Sequence, residues 1–155
     1  MALATYRYTL INGDTAYEVT CNNKEEVTKA IIPSSYNGLP VTSIGEGAFH
    51  GCPRLTRVNI PDGVVNIEDF AFMDCSNLTS VTIPDSVICI GEGALYGCTR
   101  LTRITIKATT PPYLGGSAFG NTNNCPIYVP AQSVEAYKTA TNWSSLASRI
   151  FAIQE

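Results

Sequence analysis

The sequence has no apolar run approaching the roughly 18 residues that a membrane-spanning helix needs. Its start, MALATYRYTL, lacks the basic end and the apolar core of a secretory signal. Only 15% of the residues are charged and the net charge is −3, so the excess of positive charge that favours nucleic-acid binding is missing as well. We therefore predict no membrane insertion and no nucleic-acid partner. If the native product is exported, we expect this chain to be a mature portion or an excised segment of it.

Residues that carry out catalysis are equally scarce. The chain has one histidine, His50, and no catalytic motif surrounds it. A G-x-S-x-G motif, a phosphate-binding glycine loop and an H-x-x-x-H pair are all absent from the sequence. We therefore predict that the protein is not an enzyme and that it uses no cofactor.

What the sequence does contain is a repeat with a fixed period of 23 residues. Three segments align without gaps: IGEGAFHGCPRLTRVNIPDGVVN, IEDFAFMDCSNLTSVTIPDSVIC and IGEGALYGCTRLTRITIKATTPP, which begin at Ile44, Ile67 and Ile90. A period of this length is typical of a solenoid, in which each repeat forms one coil of a stack. The columns that keep apolar character are Ile44/Ile67/Ile90, Ala48/Ala71/Ala94, Phe49/Phe72/Leu95, Cys52/Cys75/Cys98, Leu55/Leu78/Leu101, Val58/Val81/Ile104 and Ile60/Ile83/Ile106.

Each repeat contains an alternating apolar pattern that predicts one short strand per coil. In L-x-x-V-x-I, we expect Val58 and Ile60 to face the core and Asn59 to face solvent. Partial copies, AIIP at 30–33 and IYVP at 127–130, extend the pattern at both ends. The sequence therefore predicts five strands that stack into a parallel sheet.

The two ends of the chain differ from the repeats, and we predict that they cap the stack, which would otherwise expose its core. TYRYTLINGDTAYEVT is typical of a β-hairpin that turns at Asn12-Gly13-Asp14. After Pro130, the apolar residues Val134, Tyr137, Trp143, Leu146 and Ile150 have spacings typical of a helical lid, interrupted near Asn142. We assign one domain over residues 1–155, with an N-terminal cap at 1–26, repeats at 27–130 and a C-terminal cap at 131–155.

The repeat consensus I-G-x-x-A-F-x-x-C-x-x-L-T-x-V-x-I-P resembles the BspA-type leucine-rich repeat, and IYVPAQSVEAYKTATNWSS resembles the C-terminal segment common in that family. The resemblance covers roughly residues 27–150. It implies a mostly β member of the α/β class, namely a right-handed leucine-rich-repeat solenoid with 23-residue repeats, an N-terminal β-hairpin cap and a C-terminal helical cap. Departures are local, because Lys107 replaces a proline and Leu95 a phenylalanine, and the turn YNGLP lengthens the first copy by five residues.

The resemblance also implies a biological setting. Proteins of this type are abundant as surface proteins of gut and oral bacteria and in some protozoan parasites, and some members are adhesins that bind host matrix proteins. We therefore expect the protein at the cell surface or secreted, with a protein or glycan ligand and host extracellular matrix among the candidates. We expect the chain to be a monomer.

Six cysteines raise the question of whether they form disulfides or a metal site. Side chains in one column of a stack lie about 4.8 Å apart and parallel, whereas a disulfide needs Cβ atoms about 3.8 Å apart that face each other. Zinc would need about four converging ligands. We therefore predict that Cys52, Cys75 and Cys98 are buried thiols that fill the turn before each strand. We expect Cys89 to line a turn, and the sequence leaves the pairing of the cap cysteines open.

The outward strand positions form columns on the predicted concave sheet. One column is Ile31, Asn59, Thr82, Thr105 and Tyr128, the next is Lys29, Arg57, Ser80 and Arg103, and a third is Thr28, Thr56, Thr79 and Thr102. These columns are typical either of an ordinary soluble sheet surface or of a shallow site for an extended or acidic ligand. For the second interpretation, the predicted ligand-binding residues are Lys29, Arg57, Asn59, Thr82, Arg103, Thr105 and Tyr128.

A column of carboxylates, Glu46, Asp69 and Glu92, raises the question of calcium binding. Calcium takes about six or more oxygen ligands, whereas this column supplies one carboxylate per coil. We therefore predict no metal site.

Two classes of function remain. The first is an extracellular recognition module of an adhesin-like surface protein, which binds a protein or a glycan through the concave parallel sheet. The second is a structural spacer or self-associating repeat unit, and an intracellular interaction protein is a third alternative. The sequence does not identify a ligand, because the outward positions of a solenoid can vary on a constant frame.

Overall fold

The computed structural model describes residues 2–154. Its strands are β1 (Tyr6–Ile11), β2 (Ala16–Cys21), β3 (Lys29–Ile31), β4 (Ser35–Tyr36), β5 (Leu39–Ile44), β6 (Arg57–Asn59), β7 (Asn66–Ile67), β8 (Ser80–Ile83), β9 (Cys89–Ile90), β10 (Arg103–Ile106), β11 (Tyr113–Leu114), β12 (Ile127–Val129) and β13 (Ile150–Ala152). The helix α1 spans Val134–Thr139, between 3₁₀ helices over Ala131–Ser133 and Ser144–Arg149.

The coils stack through two sets of strands. The first sheet has the order β1-β2-β5-β7-β9-β11, with β4 paired to β5, and the second set consists of β3-β6 and β8-β10-β12-β13. Paired residues of neighbouring coils are 23 positions apart at most steps, as in Ser80 with Arg103 and Asn66 with Cys89. The separation is 24 between β9 and β11 and 28 between β3 and β6. The five predicted strands are present as β3, β6, β8, β10 and β12, and they are parallel to their partners. The prediction of a single sheet is wrong, because β3-β6 and β8-β10-β12-β13 are separate sheets. The repeat pattern did not predict the first sheet, whose strands β7, β9 and β11 are only two residues long.

A column of threonines joins the coils beside the second set of strands. Thr56, Thr79 and Thr102 each donate their hydroxyl to the main-chain carbonyl of the threonine one coil earlier, at 3.1, 3.4 and 3.1 Å. The amide of Thr79 also donates to the carbonyl of Thr56 at 3.4 Å, which connects β6 to β8. These hydroxyl donors stabilise the stack and are therefore not free for a ligand.

The apolar columns of the repeat form one continuous core. Leu55 and Leu78 are completely buried and Leu101 is 4% exposed, so each coil places a leucine between its neighbours. The rings of Phe49 and Phe72 stack with their centroids 5.1 Å apart. Because every coil buries the same column, each core side chain packs against its counterpart in the next coil.

The predicted buried thiols are confirmed. Cys52, Cys75 and Cys98 have no exposed surface, and the Cys75 thiol donates to a main-chain carbonyl of the preceding coil at 3.0 Å. Hydrogen bonds with Cys52 and Cys98, and then burial, raise the pKa of the Cys75 thiol, so this thiol stays protonated and unreactive. All six cysteines are free. Cys89 lies in strand β9, so its predicted placement in a turn is wrong.

The N-terminal hairpin is confirmed, since β1 pairs with β2 in antiparallel fashion and Asn12, Gly13 and Asp14 have positive φ in the turn. The longer first repeat forms a second hairpin, in which β4 pairs with β5 around Asn37-Gly38. Asparagine, aspartate and glycine tolerate left-handed backbone, which these tight turns require. Both turns therefore lie at the positions where the sequence predicts a turn.

The C-terminal segment is helical only in part. Tyr137 in α1 and Trp143 are fully buried, and each donates a hydrogen bond to a main-chain carbonyl of the loop before β11, at 2.7 and 2.9 Å. Ile150, however, begins strand β13, which pairs in parallel with β12. The predicted helical lid is therefore wrong from Ile150 onward, because the 23-residue register resumes there and places Ile150 beside Ile127.

Two glutamates approach one buried hydroxyl on the first sheet. Ser43 is 1% exposed, and its Oγ lies 2.9 Å from Glu18 Oε1 and 3.3 Å from Glu68 Oε2. The single hydroxyl proton can be donated to only one carboxylate at a time. Burial, followed by the charge of Glu18, raises the pKa of the Glu68 carboxyl. A protonated Glu68 can donate to Ser43 and leave the serine proton for Glu18, which satisfies all three groups.

We predict that Leu78→Ala lowers the free energy of unfolding by about 2–5 kcal/mol, because the change leaves a cavity between two stacked coils. Urea melts would measure the loss. Arg57→Ala, at an exposed position, is the control and should stay within about 0.5 kcal/mol of the parent. A loss under about 0.5 kcal/mol for Leu78→Ala would contradict the packing described above.

The Glu68 carboxyl should also make stability depend on pH. Its pKa in the folded protein lies above the unfolded value of about 4.3, so its stabilising contribution is fully present below about pH 4.3 and is lost as pH rises through the folded pKa. Glu68→Gln should therefore raise the urea midpoint at neutral pH and flatten its decline from acid to neutral pH. Glu92→Gln, at an exposed position, is the control. If the urea midpoint of Glu68→Gln declined with pH as steeply as that of the parent, the pH dependence would belong to another group.

Candidate ligand-binding face

We define the strand face as the outward surface of β3, β6, β8, β10, β12 and β13. Its residues follow the predicted columns: Lys29 pairs with Arg57, Ile31 with Asn59, Ser80 with Arg103, and Thr105 with both Thr82 and Tyr128. The seven predicted ligand-binding residues, Lys29, Arg57, Asn59, Thr82, Arg103, Thr105 and Tyr128, therefore lie on one surface. Their role in binding stays a prediction.

The alternation within each strand fixes which side chains face outward. In β8, Ser80 and Thr82 are exposed whereas Val81 is 2% exposed and Ile83 is completely buried. A shift of one residue would bring the polar side chains into the core and the apolar ones into solvent. The core therefore positions the strand face, and outward residues can change without altering the frame.

The strand face is concave over its first three strands. An open depression of about 660 Å³ is lined by Lys29, Arg57, Asn59 and Thr82, among others, and extends to Asp62 and Lys107 at its rim. A smaller depression of about 340 Å³ continues along the threonine column. Lys29 and Arg57 line both depressions, so the two form adjoining parts of one shallow surface.

The other end of the strand face is aromatic. The guanidinium carbon of Arg103 lies 4.3 Å from the centre of the Tyr128 ring, a geometry in which the cation is attracted to the ring face. The Tyr128 ring lies next to Phe151, with centroids 6.0 Å apart. Phe151 is 48% exposed. A ligand on the strand face would therefore meet an apolar surface at β12 and β13.

Phe151 was missing from the residues predicted by sequence. Its signal is the 23-residue period itself, since IFA at 150–152 aligns with IYV at 127–129, and Phe151 pairs with Tyr128 in the structure. The apolar residues before Ile150 have helical spacing, so the sequence pattern alone favoured a helix over this further strand. The outward column therefore continues for one strand more than the repeat pattern indicates.

The cations of the strand face have no acidic partner within 4.0 Å among residues 2–154. The ion pair in that part of the chain joins His50 Nε2 to Asp74 Oδ2 at 4.0 Å, away from the strand face. Among residues 2–154, the face and the rim of its depression hold four of the ten basic residues, Lys29, Arg57, Arg103 and Lys107, and one of the twelve acidic residues, Asp62. The other described residues include six basic and eleven acidic ones. The strand face is therefore a positive region of a negatively charged protein.

A separate depression of about 540 Å³ lies between the loop at 115–124 and the C-terminal 3₁₀ helix. Its cation, Arg149, donates to the carbonyl of Cys125 at 2.9 Å and to the hydroxyl of Thr122 at 2.8 Å. The side-chain amide of Asn142 donates to a main-chain carbonyl at 2.7 Å. The polar groups of this depression hold the loop in place, which makes it a weaker candidate for ligand binding than the strand face.

One member of the predicted carboxylate column has a structural role. Asp69 Oδ1 accepts a hydrogen bond from the amide of Glu92 at 2.8 Å, which links two coils. Across residues 2–154, no group of three or more His, Cys, Asp or Glu side chains is arranged to hold a metal ion.

The side chain of His50 is 51% exposed on the turn between the sheets. Within residues 2–154, no helix has the length and apolar character to cross a membrane.

Comparisons with known proteins agree with this architecture. The family model of the BspA type leucine rich repeat region matches residues 16–147 in six copies. The crystal structure of the T. pallidum leucine rich repeat protein TpLRR is similar, with a TM-score of 0.64 and 22% identity over 84% of this chain and 70% of that chain. A leucine-rich repeat protein from Bacteroides ovatus ATCC 8483 aligns with a TM-score of 0.36 and 20% identity, over 82% of this chain and 58% of that chain.

At 22% identity, the treponemal structure supports the fold alone. No curated protein sequence matches the chain significantly. The family model covers residues 16–147, which is most of the chain. The protein therefore belongs to the BspA-type leucine-rich repeat family.

Proposed function

We propose that the chain is a non-catalytic recognition module of an adhesin-like surface protein, and that it binds another protein through the strand face. Leucine-rich repeat families are generally non-catalytic and mediate protein binding, and BspA-type proteins are typically associated with the cell surface. The observation that carries the proposal is the positive, partly aromatic surface of the strand face, whose cations lack acidic partners among residues 2–154. A glycan is the alternative ligand class.

The composition of the strand face supports a binding role. Arginine and tyrosine are enriched at protein interfaces, and they contribute a large share of binding energy where water is excluded. Arg57 and Arg103 would be the charged anchors, and Tyr128 with Phe151 the aromatic ones. Asn59, Thr82 and Thr105 supply polar groups between these anchors. The shallow, open shape suits an extended segment or a protein surface better than a small molecule, which prefers an enclosed pocket.

In the proposed arrangement, residues 1–155 form one domain, a right-handed solenoid of 23-residue repeats. Residues 1–26 and 131–155 serve as caps for the repeats at 27–130, and the chain is a monomer that presents the strand face at the cell surface or outside the cell. In this arrangement the strand face is the recognition surface, and host extracellular matrix proteins are the first candidates for its partner.

The alternative is a structural spacer or a self-associating repeat unit. One observation favours it: among residues 2–154, strand β13 pairs only with β12 and ends its sheet. An unpaired strand edge can accept a further strand from another chain. Under this alternative the charged residues of the strand face would contribute only solubility.

The test is binding of the labelled protein to a panel of host matrix proteins and glycans, beside the variant Arg57→Glu/Arg103→Glu. We expect at least one panel member to bind, and the double variant to lose about tenfold or more in affinity, because two attractive charges become repulsive. The control is Arg54→Glu/Arg100→Glu, which changes the same net charge at two exposed arginines outside the strand face.

Equal thermal midpoints of the parent and both variants would establish that the fold is intact. A panel member that loses affinity equally in both variants would indicate a response to net charge rather than to the strand face. Retained binding in Arg57→Glu/Arg103→Glu would assign recognition to another face of the protein. The absence of binding to every panel member, together with concentration-dependent oligomers in light scattering, would favour the spacer alternative.

A further inference from the structure

The strand face has a particular order of side chains from its first strand to its last. Ile31 on β3 is 49% exposed and lies at one end, and Phe151 on β13 is 48% exposed and lies at the other. On the strands between them lie the cations Arg57 on β6 and Arg103 on β10, in the neighbouring column of outward residues, whereas Lys29 lies on β3 together with Ile31. From β3 to β13 the face therefore presents an isoleucine beside a lysine, then two arginines, and finally an apolar ring.

The spacing of the strands sets the length of a ligand that would touch both ends. Neighbouring strands lie about 4.8 Å apart, so the five steps from β3 to β13 span about 24 Å. An extended peptide advances about 3.3 Å per residue and directs alternate side chains to the same side. A segment of about nine residues is therefore long enough to place its first and last side chains over Ile31 and Phe151.

The number and arrangement of the cations favour a peptide over a polyanion. Lys29 and Arg57 are neighbours, but Ser80 interrupts the row before Arg103. The Arg103 guanidinium already lies over Tyr128 and leans toward the aromatic end. Sulfated glycans and nucleic acids carry charge on every unit and have few apolar groups to place on Ile31 or Phe151. A peptide can match the few cations with carboxylates and also supply an apolar side chain at each end.

We propose that the ligand of the strand face is an extended, acidic polypeptide segment of about nine residues that crosses the strands, with an apolar side chain at each end and carboxylates between. This inference rests on the proposed function of the strand face and specifies the partner of that same surface. Carboxylates form charge-assisted, bidentate hydrogen bonds with arginine, and the apolar ends pack on the exposed rings and on the isoleucine.

The first probe is a fluorescein-labelled peptide of about nine residues with leucine first, phenylalanine last, aspartate at the third, fifth and seventh positions and serine elsewhere. A second peptide replaces the aspartates with asparagine, and a third keeps the composition but places leucine and phenylalanine side by side. Fluorescence anisotropy at low salt measures affinity. We expect the first peptide to bind at least about tenfold more tightly than either control, and its binding to weaken as salt increases.

Two substitutions test the ends independently of the charges. Phe151→Ala and Ile31→Ala should each lower the affinity for the first peptide about fivefold or more. Both should have little effect on the affinity for a peptide with alanine at both ends. Both positions are exposed, so the fold should persist, and an unchanged thermal midpoint verifies this. Thr110→Ala, at an exposed position outside the strand face, is the matched control.

Equal binding of the aspartate and asparagine peptides would overturn the inference, and so would the absence of binding by the aspartate peptide. A sulfated polysaccharide that displaces the peptide at equal charge concentration and binds Phe151→Ala as well as the parent would also overturn it, in favour of a general anion surface. In each case, a panel protein that still loses affinity in Arg57→Glu/Arg103→Glu would leave the proposed function standing. The failure of the specific ligand is therefore distinguishable from failure of the recognition role.

Discussion

The hydrogen bonds between coils fix which residues pair in each sheet, and the rest of the structure depends on this register. Paired residues are 23 positions apart at most steps, but 24 apart between β9 and β11 and 28 apart between β3 and β6, so extra residues are accepted only outside the paired positions. The amide of Glu68 donates to the carbonyl of Ile44 at 2.9 Å, and one coil later the amide of Gly91 donates to Ile67 at 2.8 Å. A coil longer by one residue within a strand would turn its core side chains outward. The longer first repeat is tolerated because its extra residues form a hairpin in which Ser35 and Tyr36 pair with Pro40 and Leu39. Strand β5 joins the ladder between coils only from Val41 onward, where it pairs with β2 and, from Ser43, with β7.

The same stacking limits side-chain size where coils approach most closely. A Cβ atom on Gly91 would lie 2.5 Å from the amide nitrogen of Asp69, so only glycine fits there without moving the backbone. At the matching position of the second repeat stands Glu68, whose carboxyl reaches Ser43 and raises the question of where its proton lies. The stacking constraint therefore explains the glycine at position 91, whereas Gly51 and Gly63, where an added Cβ would meet open space, are favoured by their positive φ. It also explains why the threonine hydroxyls are used between coils rather than for ligands.

The fold could be predicted from sequence to the extent that each column repeats. The leucine column, the buried thiols and the strands β6, β8 and β10 follow from an aligned period and from the alternation of Val58, Asn59 and Ile60. The first sheet could not be predicted in this way, because two-residue strands such as β9 leave no alternation to detect, and Cys89 was placed in a turn for that reason. Strand β13 was not predicted because the apolar residues before it have helical spacing, as in α1, and only one short segment at Ile150 continues the 23-residue period.

The candidate site was predictable in position but not in extent. The columns of the strand face follow from the strands, whereas the contact of Arg103 with Tyr128 and the exposure of Phe151 depend on how the last two strands stack. The frame requires particular residues only on its inward side, so folding does not explain a cluster of cations on the outward side that has no acidic partner within residues 2–154. Like charges placed on neighbouring strands, such as Lys29 and Arg57, repel each other and reduce stability. A ligand that carries negative charge would remove this repulsion, which gives the strand face a physical reason to bind one.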